Sequence, residues 1–329
     1  MGCQLCRNDL HDENEMSKDP NTNQLEPNNK KRTLKSGRHI TPSKTPTKNT
    51  ITLQAGFSVD SITPLSSDLF AVGLSNGVIA VYQIGTSTPS QQYTLTGHTG
   101  TVRALIKLND GRLCSASGDS TIKIWRLYER RLDVDLTSVH TNWVNALLQP
   151  KESDVIISGG SDNTIKIINL LGMNQIEHSF TVEKNVDCMV DLDSGEFAAN
   201  SGDSVIVFNW KTKEKIYEFE GAFSTVVSMA YVDGHLIAGA VNGTIKIYDM
   251  STKQKKSNIK DNGNLSDVKV IEKNIIAVAI GNGIKLWNMN DNTEIRTLVG
   301  HVGDVKAITK MEGSVLISGG SDKMIKIWE

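Results

Sequence analysis

From residue 51 onward, hydrophobic and polar residues alternate in short runs, and turns rich in Gly, Asn, Asp and Ser separate these runs. Runs such as 59–62 and 69–72 have the period of two that is typical of β-strands with one buried face. Four runs of this kind recur in each successive stretch of the chain. The pattern predicts a series of four-stranded antiparallel sheets.

A short phrase, a small or polar turn followed by an apolar strand, returns seven times along the chain. It ends at Tyr82, Trp125, Ile168, Phe208, Tyr248, Trp287 and Trp328. The successive spacings are 43, 43, 40, 40, 39 and 41 residues. A period of this length predicts sheets repeated around an axis, so we expect a seven-bladed β-propeller without room for a second globular domain.

The last repeat reaches Glu329 directly after its third strand and therefore lacks a fourth. Residues 51–53 precede the first repeat and have no other strand to pair with. We expect them to complete the last blade, which would close the ring and remove an open sheet edge. The predicted domains are a tail over residues 1–49 and a propeller over residues 50–329.

Two repeats carry the most complete motifs. They are Gly97-His98 followed by residues 117–125 (SGDSTIKIW), and Gly300-His301 followed by residues 320–328 (GSDKMIKIW). With seven repeats in phase, the chain resembles the WD40 repeat family over essentially all of residues 51–329. The Trp-Asp dipeptide that names the family is intact in none of the repeats, and Tyr248-Asp249 comes nearest. The resemblance implies an all-β, seven-bladed propeller.

The resemblance also implies a buried polar network inside a blade. It maps onto His98, Ser115, Asp119 and Trp125, and again onto His301, Ser318, Asp322 and Trp328; the third repeat keeps His140, Ser158 and Asp162 but has Ile168 in place of the indole. Donors and acceptors of these four types can satisfy one another without water. Ser, His and Asp together also suggest nucleophilic catalysis, but recurrence at the blade period favours packing. Repeats four and six lack the Gly-His pair, so we expect less rigid blades there.

In propellers of the family that this chain resembles, the loops that enter the innermost strands line one rim of the central channel and often bind peptides. Position in the repeat places there Asp60, Arg103, Trp143, Asn145, Asn185, Asp187, Asp267, Lys269, Asp304 and Lys306. The residues predicted to bind a partner are Arg103, Trp143, Asn145, Asp187, Lys269, Asp304 and Lys306. Trp143 lies in a polar loop, which favours an interface hot spot, although its ring could instead pack on the neighbouring blade.

Residues 1–49 are rich in Asn, Lys, Asp, Glu, Thr and Pro, which predicts a disordered tail. The sequence Met1-Gly2-Cys3 predicts N-myristoylation of Gly2 and palmitoylation of Cys3. The stretch from Lys30 to Lys48 carries basic residues and no acid, so it could contact an anionic membrane beside the acyl chains.

Other interpretations of the tail remain open. It could be an unmodified flexible terminus, or Cys3, Cys6 and His11 could form half of a zinc site. The basic stretch could be a solvated linker or a nuclear import signal. Thr41-Pro42 and Thr45-Pro46 are candidate phosphorylation sites that would cancel some of its charge.

Net charge, cysteine content and the absence of enzyme motifs argue against several classes of function. A formal net charge of −2 does not favour nucleic-acid binding, and four cysteines in 329 residues do not form a disulfide framework; we expect Cys114 and Cys188 to be buried strand residues. Motifs of common enzyme classes are absent from the sequence. The sequence therefore predicts a cytoplasmic, non-catalytic scaffold for protein or peptide partners, tethered to a cytosolic membrane surface by N-terminal acylation. It predicts no cofactor, metal or small-molecule substrate. The alternatives are a soluble adaptor subunit, as in ubiquitin transfer or a nuclear complex, and, from another class, a propeller hydrolase.

Overall fold

The computed structural model describes residues 50–85, 88–137, 139–171, 175–219 and 224–329. The predictions for the tail, which involve Gly2, Cys3, Thr41 and Thr45, lie outside these residues. Within them, 28 β-strands form seven four-stranded antiparallel sheets.

Each sheet is one blade, and its strands follow one another in sequence except in the last blade. Blade 1 contains β2 (Val59–Pro64), β3 (Leu69–Leu74), β4 (Ile79–Gln83) and β5 (Ser90–Leu95), and blade 2 contains β6 (Val102–Lys107), β7 (Leu113–Ser117), β8 (Ile122–Arg126) and β9 (Arg131–Leu136). Blade 3 contains β10 (Val144–Leu148), β11 (Val155–Gly160), β12 (Thr164–Asn169) and β13 (Ile176–Thr181), and blade 4 contains β14 (Met189–Asp191), β15 (Glu196–Ser201), β16 (Ser204–Asn209) and β17 (Glu214–Phe219). Blade 5 contains β18 (Val226–Val232), β19 (His235–Ala240), β20 (Thr244–Asp249) and β21 (Gln254–Lys260), and blade 6 contains β22 (Leu265–Glu272), β23 (Ile275–Ile280), β24 (Gly283–Asn288) and β25 (Thr293–Val299). Blade 7 contains β26 (Val305–Lys310), β27 (Leu316–Gly320), β28 (Met324–Trp328) and β1 (Thr50–Gln54).

The blades form a closed ring. The first strand of each blade contacts the first strands of the blades on either side, and β26 returns to β2. These first strands, β2, β6, β10, β14, β18, β22 and β26, therefore surround a central channel. The prediction of a seven-bladed propeller is confirmed.

Strand β1 closes the ring as the sequence predicts. It pairs antiparallel with β28, with Thr50 opposite Trp328 and Gln54 opposite Met324. The ammonium group of Lys326 also donates a hydrogen bond of 2.9 Å to the hydroxyl of Thr52. Because β28 is covered, blade 7 does not expose its third strand as an open edge.

The hydrophobic core is divided among the interfaces between blades. Seven clusters of buried apolar residues each join two adjacent blades, including the pair formed by blades 7 and 1. Glycines in four second strands permit this close approach. A Cβ atom at Gly73, Gly239 or Gly319 would overlap Val102, Val268 or Val59, respectively, in the first strand of the next blade. A Cβ atom at Gly159 would overlap Val186, which precedes β14.

The predicted polar network is present in the geometry of three blades. In blade 2, Trp125 Nε1 donates to Ser115 Oγ over 2.8 Å, Ser115 Oγ lies 2.8 Å from His98 Nε2, and His98 Nδ1 lies 2.9 Å from Asp119. Blade 7 repeats these contacts among Trp328, Ser318, His301 and Asp322. Blade 3 keeps the contacts of His140 with Ser158 and Asp162 and ends at the serine, because Ile168 has no donor. Since these residues lie inside blades, their arrangement fits packing.

Blades 4 and 6 lack this network. Strand pairing places Ala199 and Phe208 of blade 4 where blade 2 has its serine and tryptophan. Blade 6 keeps an indole, Trp287, but Val278 occupies the serine position. The buried Nε1 of Trp287 has no hydrogen-bond partner among the residues that the structure describes.

The two cysteines of the propeller differ from the expectation in one respect. Cys114 is fully buried in β7, as predicted, whereas Cys188 precedes β14 and is only partly buried. The backbone N–H groups of Asp187 and Cys188 donate to the side-chain oxygen of Asn200, at 2.7 and 2.9 Å. This side chain takes donors that strand pairing would otherwise use, so the first strand of blade 4 is short.

Candidate functional site

One residue near the start of each first strand points toward the channel. In six blades the pairing register shifts directly after the first residue of this strand, which leaves the second residue outside the ladder. Such a bulge redirects a side chain. The six bulge residues and the equivalent residue of blade 4 line one cavity of about 260 Å³. This channel ring consists of Asp60, Arg103, Asn145, Asp187, Val227, Ser266 and Lys306.

The channel ring carries both signs of charge. Asp60 and Asp187 are acidic, Arg103 and Lys306 are basic, and none of the four is in an ion pair within the part of the chain that the structure describes. Oδ2 of Asp60 is buried without a hydrogen-bond partner among the same residues. Burial raises the pKa of Asp187, although a hydrogen bond from Asn200 and the charge of Arg103 act in the opposite direction.

A chain of hydrogen bonds fixes one side of the ring. Nε of Arg103 donates to Oδ1 of Asn145 over 2.7 Å, and Nδ2 of Asn145 donates to Oδ1 of Asp187 over 3.0 Å. The chain crosses from blade 2 through blade 3 to blade 4. The guanidinium carbon of Arg103 also lies 4.7 Å from the ring centroid of Trp143. This distance suits a cation–π interaction, so the tryptophan and the arginine hold each other in place.

Trp143 has a packed face and a free face. It stacks on Arg103 of the neighbouring blade, yet 49% of its surface is exposed. The packing contact on the neighbouring blade is therefore present, and the hot-spot interpretation stays a prediction. An exposed aromatic ring backed by a fixed arginine has the composition of an interface hot spot.

The other predicted rim residues occupy different environments. Asp267 and Lys269 line the cavity, but the carboxylate of Asp267 accepts hydrogen bonds from Ser228, Lys269 and the backbone N–H of Ile308, at 2.8 to 2.9 Å. It therefore ties blades 5, 6 and 7 together. Asn185 and Asp304 are exposed in the loops that enter the first strands and do not line the cavity.

Sequence reasoning missed Val227, Ser266 and Asn200. The first two share a recognisable position, since every ring residue directly follows a buried Val or Leu. This Val or Leu begins the first strand in six blades and precedes β14 in blade 4. Asn200 is fully buried and donates to the backbone oxygen of Val226 over 2.9 Å, besides receiving the N–H of Asp187. Its signal was a polar amide within the otherwise apolar core of β15.

The residues that the structure describes contain no group of three or more His, Cys, Asp or Glu side chains placed to hold a metal ion. They also contain no helix that is long and apolar enough to cross a bilayer.

Comparison with known proteins assigns the family. The family model described as "WD domain, G-beta repeat" matches residues 89–126, 134–169 and 292–329. These three segments contain the His-Ser-Asp networks of blades 2, 3 and 7. These matches and the seven-bladed propeller together support a WD40 β-propeller family. Four further blades of this WD40 protein fold in the same way although their motifs are less complete.

Relatives of this WD40 protein have diverse names. The transcriptional corepressor LEUNIG_HOMOLOG of Arabidopsis thaliana is 25% identical over 231 residues, which cover 67% of this chain and 29% of that protein. The ribosome biogenesis protein WDR12 homolog of Trichoplax adhaerens is 24% identical over 277 residues, which cover 75% of this chain and 56% of that protein. The apoptotic protease-activating factor 1 of Rattus norvegicus is 25% identical over 228 residues, 64% of this chain and 18% of that protein. The WD40 protein thus matches only part of the length of these relatives.

Proposed function

We propose that this WD40 protein is a non-catalytic scaffold that binds protein partners at the channel ring and at the adjacent Trp143–Arg103 stack. The observation that carries the proposal is the hydrogen-bonded chain from Arg103 to Asp187 beneath a half-exposed tryptophan. Groups that are already fixed lose little conformational entropy on binding, so they can contribute more of their interaction energy to affinity.

The relatives support a binding role rather than a shared reaction. Their names refer to transcriptional corepression, ribosome biogenesis and apoptotic protease activation, which have no common substrate. Each aligns with 64 to 75% of this chain and with a smaller share of its own length. Because the function of a fold depends on its surface residues, the channel ring is the place to seek the partners of this protein.

The test compares two triple variants of the full chain. The rim variant carries Arg103→Glu, Trp143→Ala and Lys306→Glu. The control carries Lys151→Glu, Trp210→Ala and Lys211→Glu, which line a cavity of about 300 Å³. Lys151 lies between the first and second strands of its blade, and Trp210 and Lys211 lie between the third and fourth. In an antiparallel blade these turns are at the end opposite the loops that enter the first strand.

We expect proteins that co-purify with the intact chain to be lost from the rim variant and kept by the control, with all three proteins unfolding at similar temperatures. Partners kept by the rim variant would contradict the proposed site. Turnover of a broad panel of hydrolase substrates that disappears in Asp187→Asn would instead favour the hydrolase alternative.

The proposal includes a tether to the cytosolic face of a membrane. Its support is the sequence Met1-Gly2-Cys3 with the basic stretch after Lys30, both outside the described residues. We expect labelled myristate to enter the intact chain and not the Gly2→Ala variant, and membrane fractionation to change with it. No incorporation into the intact chain would leave a soluble cytoplasmic adaptor in a larger assembly as the function.

A further inference from the structure

A second cavity of about 450 Å³ lies between blades 3 and 4, apart from the channel ring. Phe180 of blade 3 and Phe208 and Ile206 of blade 4 form its apolar wall. Lys184, Asp203 and Glu218 are among the charged residues of its lining. None of these residues belongs to the channel ring, so this interblade cavity is an independent feature.

The cavity borders the position at which blade 2 has its tryptophan, because Phe208 lines it. In blade 2, Ser115 lies opposite Lys123 and Trp125 lies opposite Leu113. The corresponding residues of blade 4 are Ala199, opposite Ile206, and Phe208, opposite Phe197.

The connection that enters blade 4 differs as well. It contains no histidine, and it is one residue shorter between Phe180 and Val186 than between Leu95 and Val102. Phe208 therefore takes the place of the indole in blade 4, and the connection supplies no imidazole beside it.

Aromatic rings form one side of the interblade cavity. The ring centroids of Phe180 and Phe208 are 4.6 Å apart, and those of Phe208 and Phe197 are 5.4 Å apart. His178 adds an edge-on contact to Phe180 at 4.5 Å. Aromatic pairs at such separations are favourable beyond the area that they bury, so a further ring placed against Phe180 and Phe208 would extend the row.

The charged part of the lining is slightly acidic. The lining contains three carboxylates, those of Glu183, Asp203 and Glu218, and two ammonium groups, those of Lys184 and Lys215. Lys184 pairs with Asp203, and Lys215 pairs with Glu218 at 2.6 Å. The carboxylate oxygens are acceptors for an indole N–H, and the excess negative charge favours a cationic neighbour.

We propose that the interblade cavity binds an aromatic side chain of a partner protein, tryptophan foremost, with a basic residue beside it. The chain itself places indole rings at the equivalent positions of blades 2 and 7. The partner's ring packs against Phe180 and Phe208, with its N–H directed to a carboxylate of the lining. The interblade cavity adds to the proposed scaffold a contact point that does not depend on the channel ring.

The test uses small probes with the full chain. N-acetyl-tryptophanamide is titrated against N-acetyl-leucinamide, and N-acetyl-Lys-Trp-amide against N-acetyl-Glu-Trp-amide, with binding followed by saturation-transfer NMR. We expect saturable binding of the tryptophan probes, tighter for the lysine-containing dipeptide than for the glutamate-containing one.

Two variants change the cavity in opposite ways. The pair Ala199→Ser and Phe208→Trp supplies the missing hydroxyl and indole and fills the cavity, while Phe180→Ala removes its aromatic wall. Each should lower the affinity for the tryptophan probes by about tenfold, the effect of losing one aromatic contact. If the variant with Ala199→Ser and Phe208→Trp does not fold, the affinity of Phe180→Ala for the probes tests the proposal by itself. The rim variant should bind the probes as the intact chain does.

Absence of saturable tryptophan binding to the intact chain would overturn the proposal, as would equal affinity for the intact chain and Phe180→Ala. Failure of the rim experiment would leave this result unaffected, because the two sites have no residue in common.

Discussion

At the scale of single residues, the buried networks have a defined order of donors. Asp119 can only accept, because hydrogen bonds from Thr121 and the backbone of Thr99 overcome the effect of burial and lower its pKa to about 2. Nδ1 of His98 must then carry the proton, which leaves Nε2 to accept from Ser115. The hydroxyl oxygen of Ser115 accepts in turn from Trp125. The order runs from indole to serine to imidazole to carboxylate.

Ser115→Ala should therefore cost more stability than Ser158→Ala. The first change leaves both an indole N–H and an imidazole nitrogen without partners, whereas the second leaves only the imidazole nitrogen of His140. A buried polar group without a partner costs about 1–3 kcal/mol, so we expect the difference in unfolding free energy between the variants to have about this size. Denaturant unfolding measures it. Equal losses would mean that the indole hydrogen bond adds nothing.

The same networks predict how stability depends on pH. Burial lowers the pKa of His98, His140 and His301 below the ordinary value of 6.5, against the pull of their aspartate partners. The unfolded chain then binds more protons than the folded chain as pH falls below 6.5. The histidine contribution is complete above that pH and is lost below it. Protonation of Asp119 causes a further loss of stability as the pH falls from 3.8, the ordinary pKa of an aspartate, to about 2, its pKa in the folded chain.

We expect the urea concentration at the unfolding midpoint to fall when the pH is lowered from about 7.5 to about 5, since protonation favours the unfolded chain. His140→Gln keeps a donor and an acceptor but does not titrate, so its midpoint should change less over the same interval. A midpoint of the intact chain that rises on acidification would show that other groups dominate.

At the scale of elements, the contact between neighbouring blades depends on very small residues in the second strands. Gly319 lies against Val59, which is fully buried at the start of β2. The same relation recurs between Gly159 and Val186. Where interiors are close-packed, one added methyl group has no space unless a strand moves. These glycines therefore set the distance between blades.

Gly319→Ala should destabilise the propeller by about 1–3 kcal/mol, the usual cost of overpacking a core. Because its new methyl group would meet Val59, the double variant with Val59→Ala should lose less stability than the sum of the two single losses. The control is Gly118→Ala, where the nearest atoms to an added Cβ atom are 3.7 Å away. Additive losses in the double-mutant cycle would refute a direct contact between these positions.

At the scale of the whole molecule, closure joins the two ends of the propeller. Strand β1 supplies the fourth strand of blade 7, so the ring is completed by residues almost the full length of the described chain apart. A pairing between residues so far apart in sequence carries a large loop-closure entropy, which the intervening blades offset by holding β1 and β28 together. Closure therefore couples the stability of the first and last blades.

Removal of residues 1–55 should lower the unfolding temperature and cause association that increases with protein concentration. Without β1, strand β28 presents unpaired backbone groups at a sheet edge. Removal of residues 1–49 alone, which keeps β1, is the matched control. Thermal unfolding and size-exclusion chromatography at several concentrations would detect both effects. A monomer of unchanged stability after the longer deletion would contradict the role of β1.

The seven blades and the closing strand followed from the amino-acid sequence alone, and the family resemblance identified the members of the buried networks. Strand alternation, turn residues and the recurring motif are local properties, and a repeat of constant length converts them into one architecture. Ring positions such as Arg103 and Lys306 could be located because each repeat places the same position at the channel.

Whether each of these side chains is free to bind a partner, or is already held by hydrogen bonds inside the protein, depends on the folded ring. Asn145 lies 42 residues from both Arg103 and Asp187 yet bonds to both, and the carboxylate of Asp267 is occupied by partners from the blades on either side. The interblade cavity likewise depends on what two separate repeats place against each other. A propeller brings together side chains one repeat apart, and whether they pair or leave a space depends on distances across the ring that no local pattern contains.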